Sequence, residues 1–429
     1  MIVTVVCLSV RRYLLLSLDL SSLAKGEWGS TYQECIRWKL RNTLGLMQRS
    51  LSVSTPEEAT IRARFIVKGE EADWLLLTMA KFKAGTQKAL ESAKHGKTRF
   101  AELVKASMKI IGNNRYARGS AKIVQGIIES VKALQKLGED ITLNDVELRD
   151  WWMIQSIGAR NDASEKGNRN IRLIGDNDVE ILVHDRTSWR RIKVKYKASK
   201  RYSIILDEVA KLGIKNKLGY LARIILLNSS PHRAYCELQV TIPWNLYMKY
   251  LPVKGHVHGD NIGGIDVNLD RINLAIVSRQ GVLLDTYTAR FPELKVQGLD
   301  YNRRTSIVMN AIHKVLDYAV NHGCSLIVLE NQKTLGYLKW VWLRRGERRS
   351  ATWNRRVSLF TVEIVERISW HAPQYGLKVY YANPAYSSKL AEAIAKNIRL
   401  DRHSSSAYIL ALEYLGLNLK EAYQNLQRP

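Results

Sequence analysis

Two carboxylates in this chain stand on stretches that ought to carry none. Asp266 lies between Ile265 and Val267 in GGIDV, the first of three strand-like runs in IGGIDVNLDRINLAIVSRQGVLLDTYTARF. Glu330 closes CSLIVLEN, a short apolar run of the kind that forms a buried parallel strand. A carboxylate on an apolar strand is costly unless it is paired or holds a cation. The runs NLAIVSR and VLLDTYTAR, joined by the Gln280-Gly281 turn, make GGIDV part of an antiparallel meander. A helix is expected over 301–321, before the Glu330 strand. An apolar strand, LKVYYANPAY, follows later, and LDRHSSSAYILALEYLG then opens a last helix with Asp401 and Ser404 in its first turn.

A meander with an acid on its first strand, a helix, a strand ending in Glu, an α/β crossover and an acid opening the last helix is the layout of a ribonuclease H-like nuclease domain, expected over 261–429. The chemistry fits that layout. Two divalent cations about 3.5–4 Å apart, held by carboxylates, clamp the attacking water and the leaving oxygen of a phosphodiester. Magnesium takes hard oxygen ligands and keeps several waters, so three or four side chains suffice. Taken singly each acid has a plainer role: Asp266 as a turn partner beside Gly263 and Gly264, Glu330 as a strand end, Asp401 as a helix cap.

The charge agrees with a phosphate-rich partner. Lysine and arginine number 66 against 40 acids over 429 residues, a net +26, which is the footprint of nucleic-acid binding. A membrane partner is not expected: the apolar start MIVTVVCLSV is broken at once by Arg11 and Arg12. Those charges follow the apolar stretch instead of preceding it, which does not suit a signal peptide, so a cytoplasmic, nucleoid-associated protein is expected. The cysteines, Cys7, Cys35, Cys236 and Cys324, form no CxxC pair, so no zinc site is expected.

Upstream, residues 1–55 form an N-terminal extension of uncertain role. In TIRARFIV, Ile61, Ala63, Phe65 and Val67 alternate with Arg62, Arg64 and Ile66, a strand with a basic face. Residues 70–165 are expected to be a helical domain, and 56–69 with 166–260 a small β-barrel or sheet. In RRIKVKYKASKRYSIIL, Arg190, Arg191, Lys193, Lys195 and Lys197 belong to a stretch from Arg186 to Ile205 with eight cations and no acid; they are expected to meet phosphates. The segment GYLKWVWLRRGERRSATWNRRVSLF has seven cations against Glu347 alone. Its Trp340, Arg344, Arg345, Arg348 and Arg349 are expected on a mobile loop that touches nucleic acid, aromatic faces stacking on bases while arginines track the backbone.

GIDVNLDRINLAIVS, IVLEN, and NPAYSSK leading to DRHSSSAYILAL are similar to the three RuvC motifs of the transposon-encoded TnpB (OrfB-type transposase) proteins, relatives of type V CRISPR effectors. The resemblance covers about 60–416. It implies a RuvC-like nuclease domain preceded by a wedge-like β domain with a helical recognition insert, and a Mg2+- or Mn2+-dependent endonuclease guided by RNA to double-stranded DNA. Residue by residue, Asp266 and Glu330 match the first two catalytic, metal-binding acids. The family commonly has DRDxNAA at the third; here Asp401 takes the first place and His403 the second, so the two divide or share that role. The family's zinc ribbon is replaced by a short helical link, KLAEAIAKNIRL. The alternatives are a nuclease-inactive RNA-guided DNA-binding repressor and an unguided structure-selective resolvase.

Overall fold

A computed structural model describes residues 3–6, 15–18, 54–136, 139–158, 166–251, 258–295, 299–331, 333–343, 361–382, 390–392, 395 and 400–416. Most of the N-terminal extension lies outside these residues; within it β1 (Val3–Val6) pairs antiparallel with β2 (Leu15–Leu18). No helix among the described residues is long and apolar enough to cross a membrane.

The first large unit starts with β3 (Glu58–Lys68), whose alternation is as expected: Ile61, Ala63, Phe65 and Val67 are buried and the arginines between them face outward. Three helices follow, α1 (Glu70–Lys94), α2 (Phe100–Ile111) and α3 (Asn114–Lys136). The helical stretch ends sooner than expected. β4 (Val146–Leu148) and β5 (Met153–Ile157) come next, and β5 joins the main sheet because nearly all of its residues are buried.

The remaining strands are β6 (Ile171–Gly175), β7 (Asp178–His184), β8 (Trp189–Lys197), β9 (Leu221–Ser230) and β10 (Arg233–Pro243). They complete a seven-stranded antiparallel sheet of order β5-β9-β10-β3-β8-β7-β6, with edges at β5 and β6 in place of a closed barrel. The strand period stops at Lys197, earlier than RRIKVKYKASKRYSIIL suggested. Ser199 accepts the Tyr202 backbone N–H at 3.3 Å and opens α4 (Lys200–Ile214), whose Ile205, Leu206, Val209 and Ala210 recur at helical spacing. A short α5 (Trp244–Lys249) ends the unit.

The second unit has the expected ribonuclease H-like order. β11 (Asn261–Val267), β12 (Arg271–Val277) and β13 (Leu283–Arg290) form the meander, and α6 (Tyr301–Asn321) leads to β14 (Cys324–Glu330). After α7 (Thr361–His371) come β16 (Lys378–Ala382) and α8 (Arg402–Tyr414). The sheet order is β13-β12-β11-β14-β16, antiparallel among the first three strands and parallel from β11 to β14 to β16.

Alternate residues of this sheet serve opposite faces. Ile265, Val267, Leu274, Ile327 and Leu329 bury against α6 and α7, whereas Ile262, Ala275, Val277, Leu326 and Val328 bury against α8. Gly264 is on the α8 face, and a Cβ there would sit 1.9 Å from the Ala407 carbonyl oxygen. The absence of a side chain lets α8 rest on the sheet, where Ile409 and Leu410 are buried, each such side chain contributing about 1.5–3 kcal/mol.

Between β14 and α7 the chain crosses to the first unit. Residues Lys333–Trp340 form a 3-10 stretch, and β15 (Val341–Leu343) pairs antiparallel with β4. Leu338, Val341 and Leu343 are buried in the first unit's core. The Tyr337 ring lies against α3 at Gly126, where a Cβ would be 2.3 Å from it.

Gly264→Ala should cost about 2–3 kcal/mol or more, because the obstacle is backbone and cannot swing aside. Gly336→Ala, whose Cβ would meet only Val362 at 3.6 Å, should change stability by less than about 0.5 kcal/mol; denaturant unfolding compares the two. A second expectation concerns His371 at the end of α7. Burial, helped by His313, Arg201 and Arg367, pushes its imidazole down from 6.5 to about 4. The unfolded chain therefore takes up this proton at a higher pH than the folded one, so stability should fall as pH drops from about 6.5 towards 4, by at most about 1.4 kcal/mol per pH unit. His371→Gln should flatten that part of the stability–pH curve.

Candidate active site

The parallel register of β11 and β14 pairs Gly264 with Val328 and Ile265 with Leu329. One step further along, Asp266 stands beside Glu330, at the carboxyl ends of adjacent parallel strands. Ligands of open α/β sheets collect outside such ends. Both acids belong to the face that α8 covers, and both line a cavity of about 1370 Å3. Asp266 is 9% exposed. Its Oδ2 accepts a hydrogen bond from Asn268 Nδ2 at 2.6 Å and lies 3.3 Å from His403 Nδ1.

The third acid is placed differently. Asp401 is the N-cap of α8: Oδ1 accepts the backbone N–H groups of His403 at 2.9 Å and Ser404 at 3.2 Å, and Oδ2 accepts the Ser404 hydroxyl at 2.5 Å. Burial alone would raise its carboxyl, but these hydrogen bonds outweigh it and hold the carboxyl below the usual range. Ser404 continues the chain of polar contacts to buried Asn273, 3.4 Å away, which donates to Thr288 at 2.9 Å. Capping turns Asp401 onto its own helix, and His403, half-buried, lines the cavity with Asp266 and Glu330.

Among the described residues no group of three or more His, Cys, Asp or Glu side chains lies close enough to hold a metal ion. The donors that face the cavity still suit magnesium or manganese. Such ions take hard oxygens and are commonly held by one or two carboxylates plus substrate phosphates, without a complete protein cage. Asp266 and Glu330 would supply such a pair, with the His403 imidazole a softer donor beside them.

The opposite wall of the cavity is the outward face of β3, β10 and β9. Register places Arg62 opposite Gln239, and Gln239 opposite Arg223. Arg62 Nη1 is 3.9 Å from Glu237 and 3.7 Å from Glu363 of α7, an ion pair across the two units. Arg223 donates to Gln155 at 2.9 Å, and its guanidinium lies 5.2 Å from the Trp340 ring. Arg64 and Arg402 also line the space and have no ion-pair partner among the described residues. The alternation in β3 had marked Arg62 and Arg64 as one basic face; Arg223, alone on an apolar strand, gave no comparable signal.

The cations singled out on β8 are mostly paired. Arg190 forms an ion pair with Asp185 and lies 6.0 Å from the Trp74 ring, Arg191 is 3.8 Å from Glu180, and Lys193 is 2.9 Å from Asp178. The stretch holds no acid of its own, but β7 and the turn after it provide them across the ladder. Lys195 and Lys197 are exposed and have no acidic partner among the described residues. Trp340 is held, contrary to the expected mobile loop: its carbonyl accepts the Arg149 N–H at 3.0 Å and Trp151 Nε1–H at 3.2 Å, and its ring packs edge-on to Trp151. Arg344, Arg345, Arg348 and Arg349 lie outside the described residues, as does most of the KLAEAIAKNIRL link.

Sheet order and paired strand-end acids thus define an α/β protein with a ribonuclease H-like second unit. The family model described as the SSO2105 N-terminal domain matches residues 58–252, the span of the first unit. Two uncharacterized proteins of Aeropyrum pernix are each 33% identical to this chain over 383 residues, covering 86% of it and 87% and 98% of their own lengths. This chain belongs to one family with them. The uncharacterized protein SSO2105 of Saccharolobus solfataricus is 24% identical over 320 residues, covering 74% of this chain and 82% of its own.

Among solved structures, a Cas12f1–sgRNA–target DNA complex matches 82% of this chain and 83% of its own, at 12% identity and a TM-score of 0.37. RuvC of T. thermophilus, in complex with a Holliday junction substrate, matches 36% of this chain and 91% of its own, at 15% identity and a TM-score of 0.24.

Asp401→Ala should lower stability by about 1 kcal/mol through loss of the cap, while Asp401→Asn, itself a good capping residue, should lower it much less. Thermal unfolding of the two variants side by side checks this.

Proposed function

We propose that this protein is a metal-dependent endonuclease of the RuvC-like type, acting on DNA phosphodiesters at a single site. One observation carries the reading: Asp266 and Glu330 stand side by side at strand ends, with His403 beside them, and open onto a cavity whose far wall carries arginines. Asp266 and Glu330 hold the divalent cation, Mg2+ or Mn2+. Bound there, such an ion supplies Lewis-acid polarisation of a phosphoryl oxygen and lowers the pKa of a water nucleophile. His403 faces the same space with an imidazole that can hold a proton near the reacting phosphate. Arg64 and Arg402 are placed to bind phosphate oxygens, and Lys195 and Lys197 can extend that contact outside the cavity.

The finer reading rests on the resemblance of GIDVNLDRINLAIVS, IVLEN and DRHSSSAYILAL to TnpB proteins. Under it the activity is transposon-associated, cleavage proceeds by two-metal-ion hydrolysis, and an RNA guide selects double-stranded target DNA. The first unit then acts as wedge (56–69 and 166–260) and recognition (70–165) domains ahead of a nuclease domain (261–429). The His403 substitution and the helix-capping Asp401 favour a second reading, an RNA-guided repressor that binds without cutting.

Purified protein with co-expressed RNA, in magnesium or manganese, separates these readings. Cleavage of DNA matching the bound RNA is expected. Asp266→Asn and Glu330→Gln should each reduce it to background with the melting temperature retained, while Asp401→Asn should keep the rate within a few-fold. Sequence-matched binding without cleavage in either metal would establish the repressor, and cleavage by RNA-free protein would establish a resolvase.

A further inference from the structure

Asn268 follows β11, two residues after Asp266, in the turn to β12. Its backbone N–H closes that turn onto the Arg271 carbonyl at 2.9 Å. It is not among the residues with positive φ, so the turn makes no demand that only Asn or Gly could meet. Its side chain reaches away from the turn. Nδ2 lies 2.6 Å from Asp266 Oδ2 and 3.0 Å from His403 Nδ1. A carboxylate oxygen accepts hydrogen bonds, which identifies the Asn268 atom beside it as the amide nitrogen. That nitrogen has two hydrogens, one for each partner. The second can be donated to His403 only if Nδ1 offers its lone pair, which puts the imidazole proton on Nε2.

We propose that Asn268 is a positioning residue of this site, its one amide nitrogen clamping Asp266 to His403 and fixing His403 with Nδ1 as acceptor and Nε2–H as donor towards the cavity. The proposal rests on the nuclease reading for its purpose, and on the Asn268 contacts alone for its geometry. Without the clamp, the 3.3 Å approach of His403 Nδ1 to Asp266 Oδ2 would draw the ring proton to Nδ1, and Nε2 would have only a lone pair to present.

Nitrogen-15 spectra of histidine-labelled full-length protein, recorded well above the ordinary imidazole pKa and assigned with His403→Gln, test this. In the wild type His403 should show a protonated Nε2 and an Nδ1 shielded as a hydrogen-bond acceptor. Asn268→Ala, which leaves Asp266 Oδ2 as the neighbour of the ring, should shift the proton to Nδ1. Asn268→Asp, whose carboxylate only accepts, should shift the proton to Nδ1. Manganese binding, followed by electron paramagnetic resonance, should weaken about 10–100-fold in Asn268→Ala, as for loss of a partner that orients a metal ligand. Melting temperatures show that the variants are folded. Identical His403 resonances in folded wild type and Asn268→Ala would overturn the proposal, as would Nδ1–H in the wild type. Wild-type protein with the expected imidazole signature but no manganese binding would sink the nuclease reading and leave the Asn268 clamp standing.

Discussion

The close seating of α8 on β11 is the contact on which the site depends. Gly264 has no side chain, the Ala407 carbonyl fills the space, and the start of α8 is thereby brought level with Asp266. Any larger residue would lift the helix and take His403 with it. The polar chain Thr288–Asn273–Ser404–Asp401 fixes the helix end from the other side, so apolar packing sets how close α8 lies and hydrogen bonds set its register. Neither alone would hold an imidazole 3.3 Å from a carboxylate.

The two strand acids were legible because their surroundings were wrong for them. An acid between Ile265 and Val267, and another after Ile327–Leu329, break a strand pattern whose energetic logic is local. The sheet order was legible for a similar reason, since the meander, the helix over 301–321 and the apolar strand each follow from short-range periodicity. The division of roles between Asp401 and His403 was not. Asp401 suits an N-cap by residue type, but whether its carboxyl stays on the helix while the His403 ring reaches Asp266 depends on side-chain rotamers that the sequence does not display.

The cations show the same limit more broadly. An acid-free run on β8 reads as a phosphate-binding row until β7 pairs with it and brings Asp178 and Glu180 alongside. Cross-strand neighbours decide which charges remain available, and they come from outside the run. Trp340 makes the related point for aromatics: tryptophans among arginines suggested a base-stacking loop, while Trp151 and Arg223, some 120–190 positions away, instead hold this ring at the cavity wall.

The crossing of residues 333–343 into the first unit bears on the order of synthesis. The first unit's core contains Leu338, Val341 and Leu343, which leave the ribosome only after four strands and a helix belonging to the second unit. Until then α3 and β4 lack the neighbours that cover them. Domains usually fold one after another from the N-terminus; here the earlier-made half waits for a piece of the later one, so the two mature together even though the family match to residues 58–252 describes the first as a separate stretch of sequence.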